Sequence, residues 1–150
     1  LDPADYYGIG VVTDRLKVGK DRINIASLAA DDVTEPAITG GYVIKFDPIP
    51  DDTHYNFITD RGIPNREGTA VVIDTPNLDK LSEPQRAYIR GYVQRMENAL
   101  YADQASGYTT RTYLDYIDVP SWVDHHLLEV FVANVDGLHR SDYFHKDRGG

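Results

Sequence analysis

SEPQRAYIRGYVQRMENALYADQ, residues 82–104, is where the hydrophobic period of the chain changes. Ile89, Tyr92, Val93, Met96 and Leu100 fall at helical spacing, so they share one face of an α-helix. Ser82 and Gln85 stand in capping-box spacing, and Pro84 falls in the first turn, where its missing N–H costs least. A helix over this stretch divides the chain into two parts that meet near TPNLDK, residues 75–80.

Upstream, the segments have the character of strands. DYYGIGVVTDRLK (5–17) and RINIASL (22–28) are apolar-rich and joined by VGKD, whose Gly19 and Asp21 suit a turn. GGYVIKFD (40–47) alternates, with Val43 and Lys45 on one face and Tyr42, Ile44 and Phe46 on the other. HYNFITD (54–60) and TAVVIDTP (69–76) are shorter strand candidates. The polar segments AADDVTEPAIT (29–39) and DRGIPNREG (60–68) form loops, and TGG (39–41) is a turn entering a strand, without the flanking pattern of a P-loop.

Downstream, YTTRTYLDYID leads to a second helix from about Val119 to Ala133, with Asp118 as its N-cap. Val119, Trp122, Val123, Leu127, Val130 and Phe131 give this helix a broad apolar surface, which predicts a place deep in a helical layer. A polar loop and a short aromatic strand, SDYFHK (141–146), follow. The order is α+β: an antiparallel β-rich part over 1–76, then a helical part over 77–150.

Composition excludes several functions. A chain of 150 residues, 41% hydrophobic and 26% charged, is globular and long enough to bury a core. The eleven tyrosines suit half-buried positions where the hydroxyl reaches water. A net charge of −9, without clustered Lys or Arg, argues against nucleic acid and against an anionic membrane surface. The absence of cysteine removes disulfides, thiolate nucleophiles and Cys-ligated zinc. No apolar run has the length of a membrane span. The chain starts on Leu1 rather than Met and ends on Gly-Gly, which leads us to expect a domain incomplete at both ends.

Chemistry concentrates in NVDGLHRSDYFHKDRGG, residues 134–150. Asp136 lies just past a helix C-terminus, where the dipole disfavours a carboxylate by about a few tenths of a kcal/mol. Ser141 lies five residues on and opens a strand. A buried helix, a loop with this Asp, and a strand is the layout of the catalytic segment of protein kinases, in which the Asp accepts the substrate proton and the residue five later binds metal. An Asp-Gly turn ending a helix, with no chemistry, has the same sequence. His125 and His126, beside Asp124, point about 100° apart on a helix and do not share one ion. Ligands from a second element would be His139 or His145, and all of these histidines are expected to be structural or surface residues.

The chain resembles the spore coat protein H (CotH) kinase family, atypical protein kinases of bacterial spores, envelopes and secreted proteins. The resemblance is carried by TGGYVIKFD (39–47), LSEPQRAYIRGYVQRMENALY (81–101) and YIDVPSWVDHHLLEVFVANVDGLHRSDYFHKDRGG (116–150), and more loosely by YYGIGVVTDRLKVGKDRINIASL (6–28). It implies a protein-kinase-like fold, a single partial domain, and ATP- and Mg2+- (or Mn2+-) dependent phosphoryl transfer to a Ser or Thr side chain of a protein substrate. It also implies an extracellular, cell-envelope or spore-coat location.

Asp136 matches the family's catalytic Asp in its N-x-D motif, and Ser141 falls where the family often has a metal-binding Asn. Asp14 stands where similar sequences carry Glu, and Gly10 where they often carry Tyr. The family's second essential carboxylate lies in a W-D-x-D motif absent from this chain. In kinases a strand lysine grips the nucleotide phosphates and pairs with a helix glutamate. Lys45 and Glu97 are the candidates for that pair, against solvated strand and helix residues. The alternatives to a kinase are a non-catalytic kinase-like scaffold and a generic α+β protein-binding domain with a tyrosine-rich surface.

Overall fold

A computed structural model describes residues 16–49, 53–62, 68–137 and 140–149. Most of the first expected strand, with Gly10 and Asp14, and His139 lie outside the described residues. Four strands and two long helices follow in the order β1 (Tyr42–Phe46), β2 (Tyr55–Ile58), β3 (Ala70–Thr75), α1 (Glu83–Ala105), α2 (Val119–Phe131) and β4 (Asp142–Lys146). The architecture is α+β, with one antiparallel sheet ordered β2-β3-β1-β4.

RINIASL is not a strand. It makes a single bridge, Val18 to Ile23, and otherwise runs as irregular chain. Its alternation would suit a ladder, but it joins no strand of the β2-β3-β1-β4 sheet. The segment is fastened instead by polar contacts to the chain after β4. Ala26 N–H donates to Asp147 Oδ1 at 2.8 Å, and the Arg148 guanidinium donates to Ser27 O at 2.8 Å and Asp32 Oδ2 at 2.9 Å.

Register follows the pleat. Ile44 lies opposite Ile73 and Phe144, and Phe46 opposite Val71 and Asp142. Tyr55 and Phe57 lie opposite Ile73 and Val71. The face carrying Tyr42, Ile44, Phe57, Val71 and Ile73 packs on Leu81, Ile89 and Val93 to form the core. Tyr42 is fully buried rather than half-wet; its hydroxyl donates to Ile38 O at 2.9 Å, and burial pushes its pKa well up. Tyr88 stacks on both Tyr42 and Tyr92, extending the aromatic seam along α1.

Helix α1 starts as its sequence dictates. Gln85 Oε1 accepts from the Ser82 N–H at 3.0 Å, one arm of the capping box, and Pro84 sits in the first turn. The Gln85 amide then donates to Ala29 O and Asp32 O, tying the 29–39 loop to the helix. At the far end Asp103 is buried and gathers the chain that leaves the helix. It accepts from the hydroxyls of Thr110 and Thr112 and from Tyr113 N–H. Burial alone would raise its carboxyl, but these hydrogen bonds outweigh it and hold the pKa at about 2.

Helix α2 has the expected N-cap: Asp118 Oδ1 accepts from Ser121 N–H at 2.9 Å and from its hydroxyl at 2.6 Å. It does not lie deep in a helical layer. No residue of α2 is buried, and Val123, Leu127, Leu128, Val130 and Phe131 are exposed, Phe131 at 87%. Two residues of the helix make ring contacts with β4: Trp122 stacks on Phe144 at 4.7 Å, and His125 meets the same ring edge-on at 5.8 Å. Apolar periodicity reports what a helix can bury, whereas burial needs a second layer, and among the described residues none covers this face.

Truncation of a core side chain should cost far more than truncation on α2. Ile89→Ala is expected to lose about 2–5 kcal/mol in urea unfolding, and Phe131→Ala less than about 1 kcal/mol. Acid should also weaken the fold. Asp103 titrates near 2 when folded and near 3.9 in the unfolded chain, so the native state binds fewer protons between those values. Its contribution is complete above about pH 4 and is lost as the pH falls toward 2. Urea midpoints measured from pH 5 to pH 2 should drop, and Asp103→Asn should flatten that profile.

Candidate functional site

The turn after α2 is built by its own polar groups. Asn134 Oδ1 accepts from the Asp136 N–H at 3.2 Å, and Asn134 O from the Gly137 N–H at 3.3 Å. This Asx arrangement gives the N-x-D spacing a local physical reason: the Asn side chain fixes the backbone that carries the Asp. Asp136 is exposed, and its carbonyl accepts from Arg140 N–H at 2.9 Å. Gly137 packs against the Glu129 carboxylate, which a Cβ at 2.2 Å from Oε2 would push aside.

Ser141 is exposed and has a left-handed backbone, φ 57°. The next residue begins β4 with its side chain on the core face, because Asp142 pairs with Phe46. Asp142 is only 4% exposed. It lies beside α2, with His125 Nε2 3.4 Å from Asp142 Oδ1. Among the described residues, His125, Glu129 and Asp142 form a group whose potential ligand atoms all lie within 4.8 Å of one another.

The structure does not pair Lys45 with Glu97. Lys45 lies on the sheet face opposite Tyr42, Ile44 and Phe46. There it forms an ion pair with Asp47 and its ammonium stands 5.5 Å from the Tyr143 ring. The hydrogen bond to Asp47 raises its pKa. Glu97 faces the loop after β2. Its carboxylate accepts from Thr59 Oγ1 at 2.6 Å, Gly62 N–H at 2.8 Å, Arg61 N–H at 3.0 Å and the Gln94 amide at 2.9 Å. Burial pushes its pKa up, and these donors more than offset that, leaving it below the ordinary value.

Between the sheet and α2 lies a cleft of about 660 Å³, lined by Phe46, Met96, Tyr116, Trp122, Phe144 and Lys146 among others. Lys146 is a second strand lysine, on the core face and buried, with its ammonium 4.5 Å from the centre of the Tyr92 ring. Burial lowers its pKa, and Asp147 offsets part of that. Sequence alternation marked Lys45 because it stands alone in an apolar strand. The same alternation in SDYFHK puts Asp142, Phe144 and Lys146 on one face, but the direction of that face depends on which strand β4 joins.

The sequence pattern does not single out Glu129 or Asp142 as site residues. A signal for the first was present: His125 and Glu129 are four apart on a helix and therefore neighbours on its surface. His126 points away and is exposed, as is His145. No family model, curated protein or solved structure matches the chain. No helix among the described residues is long and apolar enough to cross a membrane.

Glu97 has a structural duty that its substitution should expose. Glu97→Ala leaves a buried hydroxyl and two backbone N–H groups without their acceptor. We expect a loss of about 2–4 kcal/mol in urea unfolding, whether or not nucleotide is added.

Proposed function

We propose that this chain is a kinase-type phosphoryl-transfer module, similar to the CotH kinases, that moves the γ-phosphoryl group of ATP to a hydroxyl of a protein substrate. The observation that carries this is the placement of Asp136: exposed on a turn fixed by Asn134, just past the end of α2 and on the chain leading to β4. In the transfer step the substrate oxygen attacks the γ-phosphorus as the bond to the ADP oxygen breaks. The hydroxyl proton passes to the Asp136 carboxylate, and ADP leaves with the bonding electron pair.

The aromatic cleft supports nucleotide binding, with flat side chains for a base and the Lys146 ammonium for phosphate. Lys45 and Glu97, the expected phosphate-gripping pair, are committed to Asp47 and to the 59–62 loop; Lys146, whose ammonium donates to Asp147 O at 3.3 Å, is the lysine that lines the cleft. Magnesium does not fit the expected ligand. It requires several oxygen donors, and Ser141 offers one hydroxyl on the exposed side of its loop.

The engagement of Lys45 and Glu97 favours a second role, that of a kinase-like scaffold without catalysis. The two roles are separated by measurement on the intact protein. With labelled ATP, a divalent cation and a protein acceptor, Asp136→Asn should lower phosphate transfer about 10²–10⁴-fold. Equal transfer by variant and parent overturns the role of Asp136. No rise in Tm on adding ATP, together with no transfer by the parent, favours the scaffold.

A further inference from the structure

Three buried polar atoms meet where α2 approaches β4, and none has a hydrogen-bond partner: His125 Nε2, Glu129 Oε2 and Asp142 Oδ2. Asp142 is only 4% exposed, so its unpartnered oxygen is withdrawn from water as well as from protein donors. Two carboxylates placed together without a compensating cation are costly. An imidazolium at position 125 would answer one of them at most, and its 3.4 Å approach to Asp142 Oδ1 leaves Nε2 without a hydrogen bond.

We propose that His125, Glu129 and Asp142 bind a divalent transition-metal ion, with zinc preferred, and that the ion clamps α2 onto β4. Charge fits, because a +2 ion neutralises two carboxylates beside a neutral imidazole. Geometry fits as well. Donors about 2.0–2.1 Å from a tetrahedral zinc are roughly 3.3 Å apart; the His125–Asp142 contact is already 3.4 Å, and the third donor lies within 4.8 Å of both. Helix periodicity supplies two donors one turn apart, and Gly137 leaves the room that the Glu129 carboxylate occupies. The nitrogen donor selects zinc, or less tightly manganese, over magnesium. Three protein ligands leave one position open for water or a ligand oxygen.

This site is separate from Ser141 and does not depend on phosphoryl transfer. The intact protein, stripped with a chelator and titrated with Zn2+ by calorimetry, should bind one equivalent. At metal 100-fold above Kd its Tm should rise by roughly 5–10 °C, and Mg2+ at the same concentration should give a smaller shift. Replacing zinc with Co2+ should give the visible absorption of a four-coordinate site.

His125→Ala should weaken zinc binding at least about 10-fold. Glu129→Gln and Asp142→Asn should do the same, yet leave the metal-free Tm unchanged or higher because each removes a buried unpaired charge. Glu129→Gln serves if Asp142→Asn does not fold. Absence of stoichiometric zinc, or the same zinc-induced Tm rise in all three variants, overturns the site.

Discussion

Strand β1 is hydrogen-bonded along both edges, and the rest of the structure depends on that double pairing. Through β3 it aligns Ile44 with Ile73 and Phe46 with Val71, making the apolar plate on which Ile89 and Val93 of α1 pack. Through β4 it brings in a strand that lies about a hundred residues further along the chain. Without the first ladder there is no core. Without the second, α2 has no ring stack against the sheet, because Trp122 and His125 meet it through Phe144.

The β1–β4 register also decides the chemistry. With Phe46 opposite Asp142 and Tyr42 opposite Lys146, the polar ends of β4 point toward α1 and α2 rather than outward. A slip of one residue would turn Tyr143 and His145 inward and carry the carboxylate and the ammonium to the far face. The left-handed Ser141 stands at the entrance to this strand, and Asn134 sets the turn before it. Asp136 on this connection is exposed, and Asp142 at the start of β4 is buried.

Acidic side chains do much of the holding. Asp103 closes the exit from α1, Glu97 gathers the loop after β2, Asp118 caps α2, and Asp147 fastens the irregular 24–28 segment. Each satisfies backbone N–H groups that no ladder or helix reaches. Part of the chain's acidity therefore serves backbone satisfaction. Glu129 and Asp142 differ in kind: the buried oxygens Oε2 and Oδ2 meet no donor.

By itself the sequence determined the local structure. Helix α1 with its cap and proline, α2 with Asp118, and the strands around Ile44, Phe57, Val72 and Tyr143 all follow from periodicity and capping, which act over a few residues. It also marked the α+β order and the turn bearing Asp136. Tertiary structure alone decided that 22–28 is not a strand, because a ladder needs a partner strand and this segment is held instead by the side chains of Asp147 and Arg148. It decided likewise that the apolar face of α2 is exposed, that Lys45 pairs with Asp47 rather than Glu97, and that Asp142 joins His125 and Glu129. Each of those outcomes depends on which distant segments meet, and pairing across a hundred residues leaves no period in the chain to read.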